Sequence, residues 1–183
     1  MTRLVLLDRD GTINEERNYL SSPDELELLP GAAEGIRRMR DLGLAVVVVT
    51  NQSGVGRGYF TAETVAAVHQ RLGELLAAGG AKVDAFYVCP HTPDDDCDCR
   101  KPAPGLARQA AAEFQADLSR SFVVGDKVCD IELGQRAGAT TILVRTGYGA
   151  EHEAFAGADY VVDGLPEAAQ VIERLAAAEC TDA

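Results

Sequence analysis

Positive charge is in short supply in this chain. Seventeen Lys and Arg stand against twenty-nine Asp and Glu, a formal net charge of −12. A surface this acidic repels phosphate-rich polymers and anionic bilayers, so neither nucleic acid nor a membrane is an expected partner. Long apolar runs are also missing. The longest lies around residues 45–49, far short of the ~20 residues that span a bilayer. Near the amino end, only residues 4–7 are continuously apolar before Asp8, whereas a secretory core needs about 7–15. The expected location is therefore cytoplasmic. The five cysteines, Cys89, Cys97, Cys99, Cys129 and Cys180, are odd in number. With no export signal, that argues against a disulfide framework. No internal repeat, low-complexity tract or interdomain linker interrupts the 183 residues. The 46% hydrophobic content excludes global disorder. A single domain over residues 1–183 is expected, long enough to bury roughly 70% of its unfolded surface, and a monomer is the expected state.

What is present is an alternation of short apolar runs with longer amphipathic ones. Residues 3–7 read as a buried strand ending at Asp8. Ala33, Ile36, Met39 and Leu42 recur at helical spacing and stop at Gly43. The β-branched run 45–49 predicts a second strand. Thr61 is placed to cap a helix running to Ala78, which Gly79-Gly80 ends. Further strands are expected at 86–88, 121–124, 141–144 and 160–162. Helices are expected at 105–114, 131–137 and 165–178, with the last residues frayed. Strand–helix alternation with continuous apolar strands predicts an α/β fold: a doubly wound, mainly parallel, Rossmann-like sheet covered on both faces. The intervals between Gly11 and Thr50 and between Gly58 and Lys101 hold no insertion beyond what such a sheet needs, so no separate cap domain is expected. Sheets of this kind bind ligands outside the carboxyl ends of their strands.

The residues just past those ends are the chemically interesting ones. Asp8 and Asp10 leave the first strand at i and i+2 and can point to one side, while Gly11 permits a sharp turn. Close carboxylates repel unless a cation lies between them or one holds a proton. For an isolated Asp-x-Asp, a solvated turn would suffice as the explanation. After the second strand come the Thr50 hydroxyl, the Asn51 amide and Gln52-Ser53-Gly54-Val55-Gly56, a turn whose N–H groups suit an anion. After the third, Arg100-Lys101-Pro102 offers either two positioned cations or ordinary surface charge. After the fourth, Asp126 and Lys127 appear, with Asp130 one helical turn on. An acid at 126 converging on Asp8 and Asp10 makes an oxygen-rich site that suits Mg²⁺. Asp94-Asp95-Asp96 reads as a solvated loop tip.

Together these parts specify phosphoryl transfer to an aspartate. Like charges about 4 Å apart oppose one another by ~4 kcal/mol at an effective dielectric of 20. Mg²⁺ on Asp8, Asp126 and a main-chain oxygen near Asp10 would offset that. Thr50 and Lys101 would hold the phosphoryl oxygens. Asp10 would protonate the leaving alcohol and then deprotonate the attacking water. The four stretches Asp-Arg-Asp-Gly-Thr, Val-Thr-Asn-Gln-Ser-Gly, Cys-Arg-Lys-Pro and Val-Gly-Asp-Lys, in this order from Asp8 to about Gly149, resemble the four motifs of the haloacid-dehalogenase superfamily, phosphatase branch. The resemblance implies Asp8 as nucleophile, Asp10 as acid and base, Thr50 and Lys101 at the phosphoryl group, and Asp126 on magnesium.

Cys89, His91, Cys97 and Cys99 form C-x-H-x₅-C-x-C, three thiols and an imidazole within eleven residues. Soft donors in this number favour a closed, structural, tetrahedral Zn²⁺ site. A free thiol cluster beside an unrelated histidine is the competing explanation. Because the loop, residues 89–101, ends in Arg100-Lys101, zinc there would pin both cations. Cys129 reads as packing and Cys180 as a tail residue.

The set including the zinc loop resembles the heptose-bisphosphate branch of the superfamily, supported by residues 13–20, 51–58 and 125–127. That branch implies removal of a phosphate from a small phosphorylated sugar. It also implies substrate contacts from Glu16, Arg17, Asn18 and Tyr19, from Thr50, Asn51, Gln52 and Ser53, and from Arg100, Lys101 and Lys127. The short cysteine loop also resembles the histidinol-phosphate phosphatase branch, the second reading. A polynucleotide 3′-phosphatase shares the Thr-Asn-Gln turn but conflicts with the net charge. A non-catalytic, zinc-stabilised binding module is a remote alternative.

Overall fold

The computed structural model describes residues 2–181, and side chains for residues 2–178. Six strands form one parallel sheet: β1 (Leu4–Leu7), β2 (Ala45–Asn51), β3 (Ala85–Cys89), β4 (Phe122–Gly125), β5 (Thr140–Val144) and β6 (Tyr160–Val162). Their order is β3-β2-β1-β4-β5-β6. Helices α1 (Ala32–Asp41), α2 (Ser53–Gly56), α3 (Ala62–Ala78), α4 (Gly105–Phe114), α5 (Val128–Ala137), α6 (Gly149–Ala156) and α7 (Leu165–Thr181) fill the connections. This is the doubly wound α/β arrangement expected, with helices on both faces.

Alternation along each strand explains the two layers. Val5, Leu7, Val46, Val48, Val124 and Ile142 face one side and pack under α1, α3 and α7. Leu4, Leu6, Val47, Val49 and Val123 face the other and meet α4 and α5. Both faces are thus buried, which is why β2 is an unbroken valine run rather than an alternating one. Each buried valine contributes roughly 1.5–3 kcal/mol relative to exposure. The turn-defining residues act as their chemistry predicts: Thr61 Oγ1 accepts from the Thr64 N–H at 3.3 Å to cap α3.

Four local differences from the sequence expectation have physical reasons. β2 continues through Thr50-Asn51 because Asn51 pairs with Cys89 at the end of β3. α5 starts at Val128, earlier than expected, because the Asp130 carboxylate accepts from the Lys127 N–H at 3.0 Å and caps it. α6 was not foreseen: only Gly149 and Ala156 of it are buried, so it carries no apolar stripe. α7 extends past 178 to Thr181. Residues 179–181, expected to fray, are thus helical, while residues 182–183 and the side chain of Cys180 fall outside the described residues. Among the described residues, no helix is long and apolar enough to cross a membrane.

Candidate active site

The strand order turns at β1 and β4, the two central strands, whose next connections run to opposite edges. The crevice beyond their carboxyl ends is where such sheets hold ligands. Asp8 follows β1 and Asp126 follows β4, and the Asp8 N–H donates to the Val124 carbonyl at 3.0 Å. The carboxylates of Asp8, Asp126 and Asp130 are all buried and bring one oxygen each to within 4.8 Å of the others. Two glycines make the room. A Cβ at Gly11, where φ is +83°, would meet Asp126 Oδ2 at 2.3 Å, and one at Gly147 would meet the same oxygen at 2.2 Å. That oxygen accepts from the Tyr148 N–H at 2.9 Å.

Lys101 reaches into this cluster from the β3–α4 connection. Its Nζ lies 2.8 Å from Asp8 Oδ1 and 2.7 Å from Asp130 Oδ1, and donates to the Val49 carbonyl at 2.8 Å. Burial alone would push the Lys101 ammonium down, but the Asp130 and Asp8 carboxylates hold it above the usual lysine range. Asn51 fixes the lysine's backbone from β2: its Oδ1 accepts from the Lys101 N–H at 3.0 Å and its Nδ2 donates to the Lys101 carbonyl at 3.1 Å. Thr50 is buried beside them, and Gln52 Nε2 donates to Thr50 Oγ1 at 2.8 Å and to Asp10 Oδ2 at 3.0 Å.

Asp10 takes a different environment from Asp8. Arg9 Nη2 lies 2.7 Å from its Oδ2, and Asn14 Nδ2 donates to its Oδ1 at 3.0 Å. Burial would raise this carboxyl, but Arg9 beside it, with Asn14 and Gln52 donating, holds it below the usual range. Two acids two residues apart thereby meet different partners. Asp126 goes the other way: burial, then the Asp8 charge, push it up to about 8.

A cavity of about 290 Å³ opens over these groups. Its lining includes Asp8, Asp10, Thr50 and Lys101, together with Glu16, Arg17, Asn18, Tyr19, Asn51, Gln52, Ser53, Arg100 and Lys127. Every expected catalytic and substrate-contact residue therefore faces one hollow. Lys127 Nζ pairs with Glu16 Oε2 at 2.6 Å and sits 5.2 Å over the Tyr148 ring. Arg17 pairs with Glu27 at 3.3 Å in an exposed position. The turn after β2 offers an anion fewer donors than its sequence suggests. The N–H groups of Gln52, Val55 and Gly56 already serve the carbonyls of Cys89, Gln52 and Pro90.

The oxygen cluster fits Mg²⁺. It offers only hard carboxylate donors, and Asp130 Oδ1 is buried without a hydrogen-bond partner of good geometry although the Lys101 ammonium is close. Asp130, expected only to support the loop, lies inside this set, whereas the Asp10 side chain is occupied by Arg9, Asn14 and Gln52. The cysteine loop fits a tetrahedral cation equally well. Cys89 Sγ lies 3.6 Å from His91 Nδ1, 3.9 Å from Cys97 Sγ and 3.2 Å from Cys99 Sγ, and His91 Nδ1 lies 3.2 Å from Cys99 Sγ. Bonds of ~2.3 Å to zinc would put tetrahedral sulfurs ~3.7 Å apart. Burial and the neighbouring Cys99 push the metal-free Cys89 thiol up to about 12, so thiolates there need a cation. The four described cysteines form no disulfide, and Cys129 lines the cavity instead of merely packing.

Sequence reasoning missed Arg9, Asn14, His69 and Tyr148. Arg9 looks like a solvated charge between two acids, yet it is 1% exposed. His69 lies sixty residues away on α3, and nothing in its helical neighbours signals the contact with Arg9.

A HAD-hydrolase-like family model matches residues 98–168. The D-glycero-beta-D-manno-heptose-1,7-bisphosphate 7-phosphatase of Bordetella bronchiseptica is 42% identical over 176 residues, covering 96% of this chain and 94% of that protein. The protein of the same name from Pseudomonas aeruginosa is 44% identical over 147 residues, covering 80% and 83%. A relative from Chlorobaculum tepidum, named without the anomer, is 42% identical and covers 91% and 92%. Among solved structures, D,D-heptose 1,7-bisphosphate phosphatase from B. bronchiseptica, complexed with magnesium and phosphate, superposes with a TM-score of 0.89 at 38% identity, covering 94% of this chain and 99% of that one. Four motifs at four strand ends, one shared crevice and this identity across nearly the whole length lead to one assignment: the chain belongs to the haloacid-dehalogenase superfamily and, within it, to the D-glycero-D-manno-heptose-1,7-bisphosphate 7-phosphatase family.

Proposed function

We propose that the chain is a Mg²⁺-dependent phosphomonoesterase, one catalytic unit over residues 1–183, that removes the 7-phosphate of D-glycero-D-manno-heptose 1,7-bisphosphate through an aspartyl phosphate on Asp8. The observation that carries this reading is the Asp8 carboxylate, buried just past the carboxyl end of β1, 2.8 Å from the Lys101 ammonium and grouped with Asp126 and Asp130. The relatives' names support the heptose branch over histidinol phosphate.

Asp8, Asp126 and Asp130 would hold the magnesium. When bound, Mg²⁺ offsets the repulsion between a carboxylate and a phosphoryl group. An Asp8 oxygen attacks phosphorus while the bond to the sugar oxygen breaks. Lys101 and Thr50 hold the phosphoryl oxygens as charge redistributes. Asp10 gives its proton to the leaving sugar oxygen. Arg9 keeps Asp10 ionised at rest, but a dianionic phosphate brought beside it raises its proton affinity, so Asp10 takes up that proton from solvent as the substrate binds. Water then attacks phosphorus, its proton passes to Asp10, and the Asp8–phosphorus bond breaks to release inorganic phosphate. Arg100, Lys127 and Glu16–Tyr19 face the remainder of the sugar. Cys89, His91, Cys97 and Cys99 would hold a structural zinc away from the reacting atoms. Bound there it would stiffen the loop that carries Arg100, whose Nη1 donates to the His91 carbonyl at 3.0 Å.

The test is a kinetic comparison of both anomers of the heptose bisphosphate with histidinol phosphate, in Mg²⁺. A preference for the heptose in kcat/KM is expected. Preference for histidinol phosphate would move the chain to the second branch, and no turnover of any phosphomonoester would make it a binding module.

A further inference from the structure

We propose that His69 is a positioning residue for the acid and base Asp10, acting through Arg9. The inference deepens the reading above and rests on Asp10 having that role. Arg9 is almost completely buried, and a guanidinium held that dry requires partners along its edges. One edge grips Asp10: Nε lies 3.1 Å from both carboxylate oxygens and Nη2 lies 2.7 Å from Oδ2. The remaining nitrogen, Nη1, lies 3.2 Å from His69 Nε2.

A guanidinium only donates, so His69 Nε2 must be the lone-pair nitrogen of a neutral ring with its proton on Nδ1. The surroundings agree, because burial and the Arg9 charge push the His69 imidazolium down to about 3. The ring is itself fixed. It stacks on Phe86 of β3 with centroids 4.4 Å apart and planes 15° from parallel. A rigid acceptor behind Arg9 therefore sets the direction in which its fork meets Asp10. Asn14 and Gln52 hold the carboxylate from other directions, both donating to Asp10 itself. With the acceptor removed, the fork is free to turn toward another partner, and Asp10 loses its alignment with the leaving oxygen and the attacking water.

The experiment compares the full chain with His69→Leu and His69→Gln in saturating Mg²⁺. Leucine removes the acceptor, and a hollow of about 240 Å³ beside the ring, lined by Val55, Val65 and Val88 among others, gives it room. Glutamine places a carbonyl oxygen near the Nε2 position. His69→Leu should lower kcat by ~10-fold or more with KM within ~2-fold, the split expected when an interaction made in the transition state is lost. The acid-quenched fraction of phosphoenzyme should rise, because proton transfer from water to Asp10 slows. His69→Gln should return kcat to within ~3-fold of the parent, since it restores the acceptor. If His69→Leu does not fold, His69→Phe, which keeps the stack on Phe86, takes its place. An unchanged kcat in the acceptor-free variant would overturn the inference alone. So would equal losses in both variants that follow their melting temperatures, which would make the ring a packing element. Absence of phosphatase activity in the unaltered chain would overturn this inference and the parent reading together.

Discussion

Asp10 and Asp126 carry opposite perturbations, and each predicts a measurement. Asp10→Asn keeps size and most hydrogen bonds but cannot cycle a proton, so turnover should fall at least ~10²-fold while phosphoenzyme accumulates. Near-normal turnover would contradict its role. Asp126 is raised to about 8 in the metal-free protein. Between the ordinary carboxylate pKa near 4 and about 8, the folded state holds a proton that the unfolded state has released. This group therefore costs metal-free stability progressively as pH climbs through that window. Asp10, held low, works in the other direction: its contribution is present above the ordinary carboxylate pKa and is lost as pH falls through its lowered value. Asp126→Asn should melt higher than the parent at pH 8 without metal, and should lose the stabilisation that added Mg²⁺ confers. A parent-like response to Mg²⁺ would remove Asp126 from the cation site. Asp8, Asp10 and Asp126 were legible in the sequence because acids right after buried strands have few structural reasons to be there, whereas Thr50, inside the end of β2, and Lys101, well past β3, were legible only through the motifs that contain them. Arg9 and His69 were not. Their meaning lies in a contact between the turn after β1 and α3 that periodicity does not encode.

The β3–α4 connection is the element on which the phosphate-side cations depend. Four side-chain atoms that could hold a metal, from Cys89, His91, Cys97 and Cys99, cluster along it, and Lys101, two residues past Cys99, is clamped to Asn51. Cys97→Ser removes one soft ligand, so the loop should loosen. Melting temperature should fall and KM should rise more than kcat falls. Unchanged kinetics and melting would show that the loop stands without its ligand. Protein prepared without chelator should carry about one zinc per chain, the content a closed four-ligand site implies. The strands and the longer helices of the fold were legible because their apolar patterns match their burial. The exceptions share one cause. α6 covers little apolar surface and leaves no stripe. The start of α5 and the end of β2 are set by single polar or pairing interactions, Asp130 with Lys127 and Asn51 with Cys89, rather than by a run of apolar residues.

Across the whole molecule, the sheet order is what converts four separate strand ends into one site. β1 and β4 are neighbours at its centre, with β2 and β3 to one side and β5 and β6 to the other. Residues 8, 50, 101 and 126 thus converge although more than a hundred positions separate the first from the last. A net charge of −12 surrounds a crevice that itself holds Lys101, Lys127 and Arg100. On the proposed function, selection of an anionic substrate would therefore be local, not a property of the overall field. Recovering the peptide that contains Asp8 after acid quenching of Asp10→Asn with substrate and Mg²⁺, and weighing it by mass spectrometry, tests the central claim most directly. The account predicts one added phosphoryl group on that peptide, absent when Asp8→Asn is introduced as well. An unmodified Asp8 peptide, together with continued hydrolysis by Asp8→Asn alone, would contradict it.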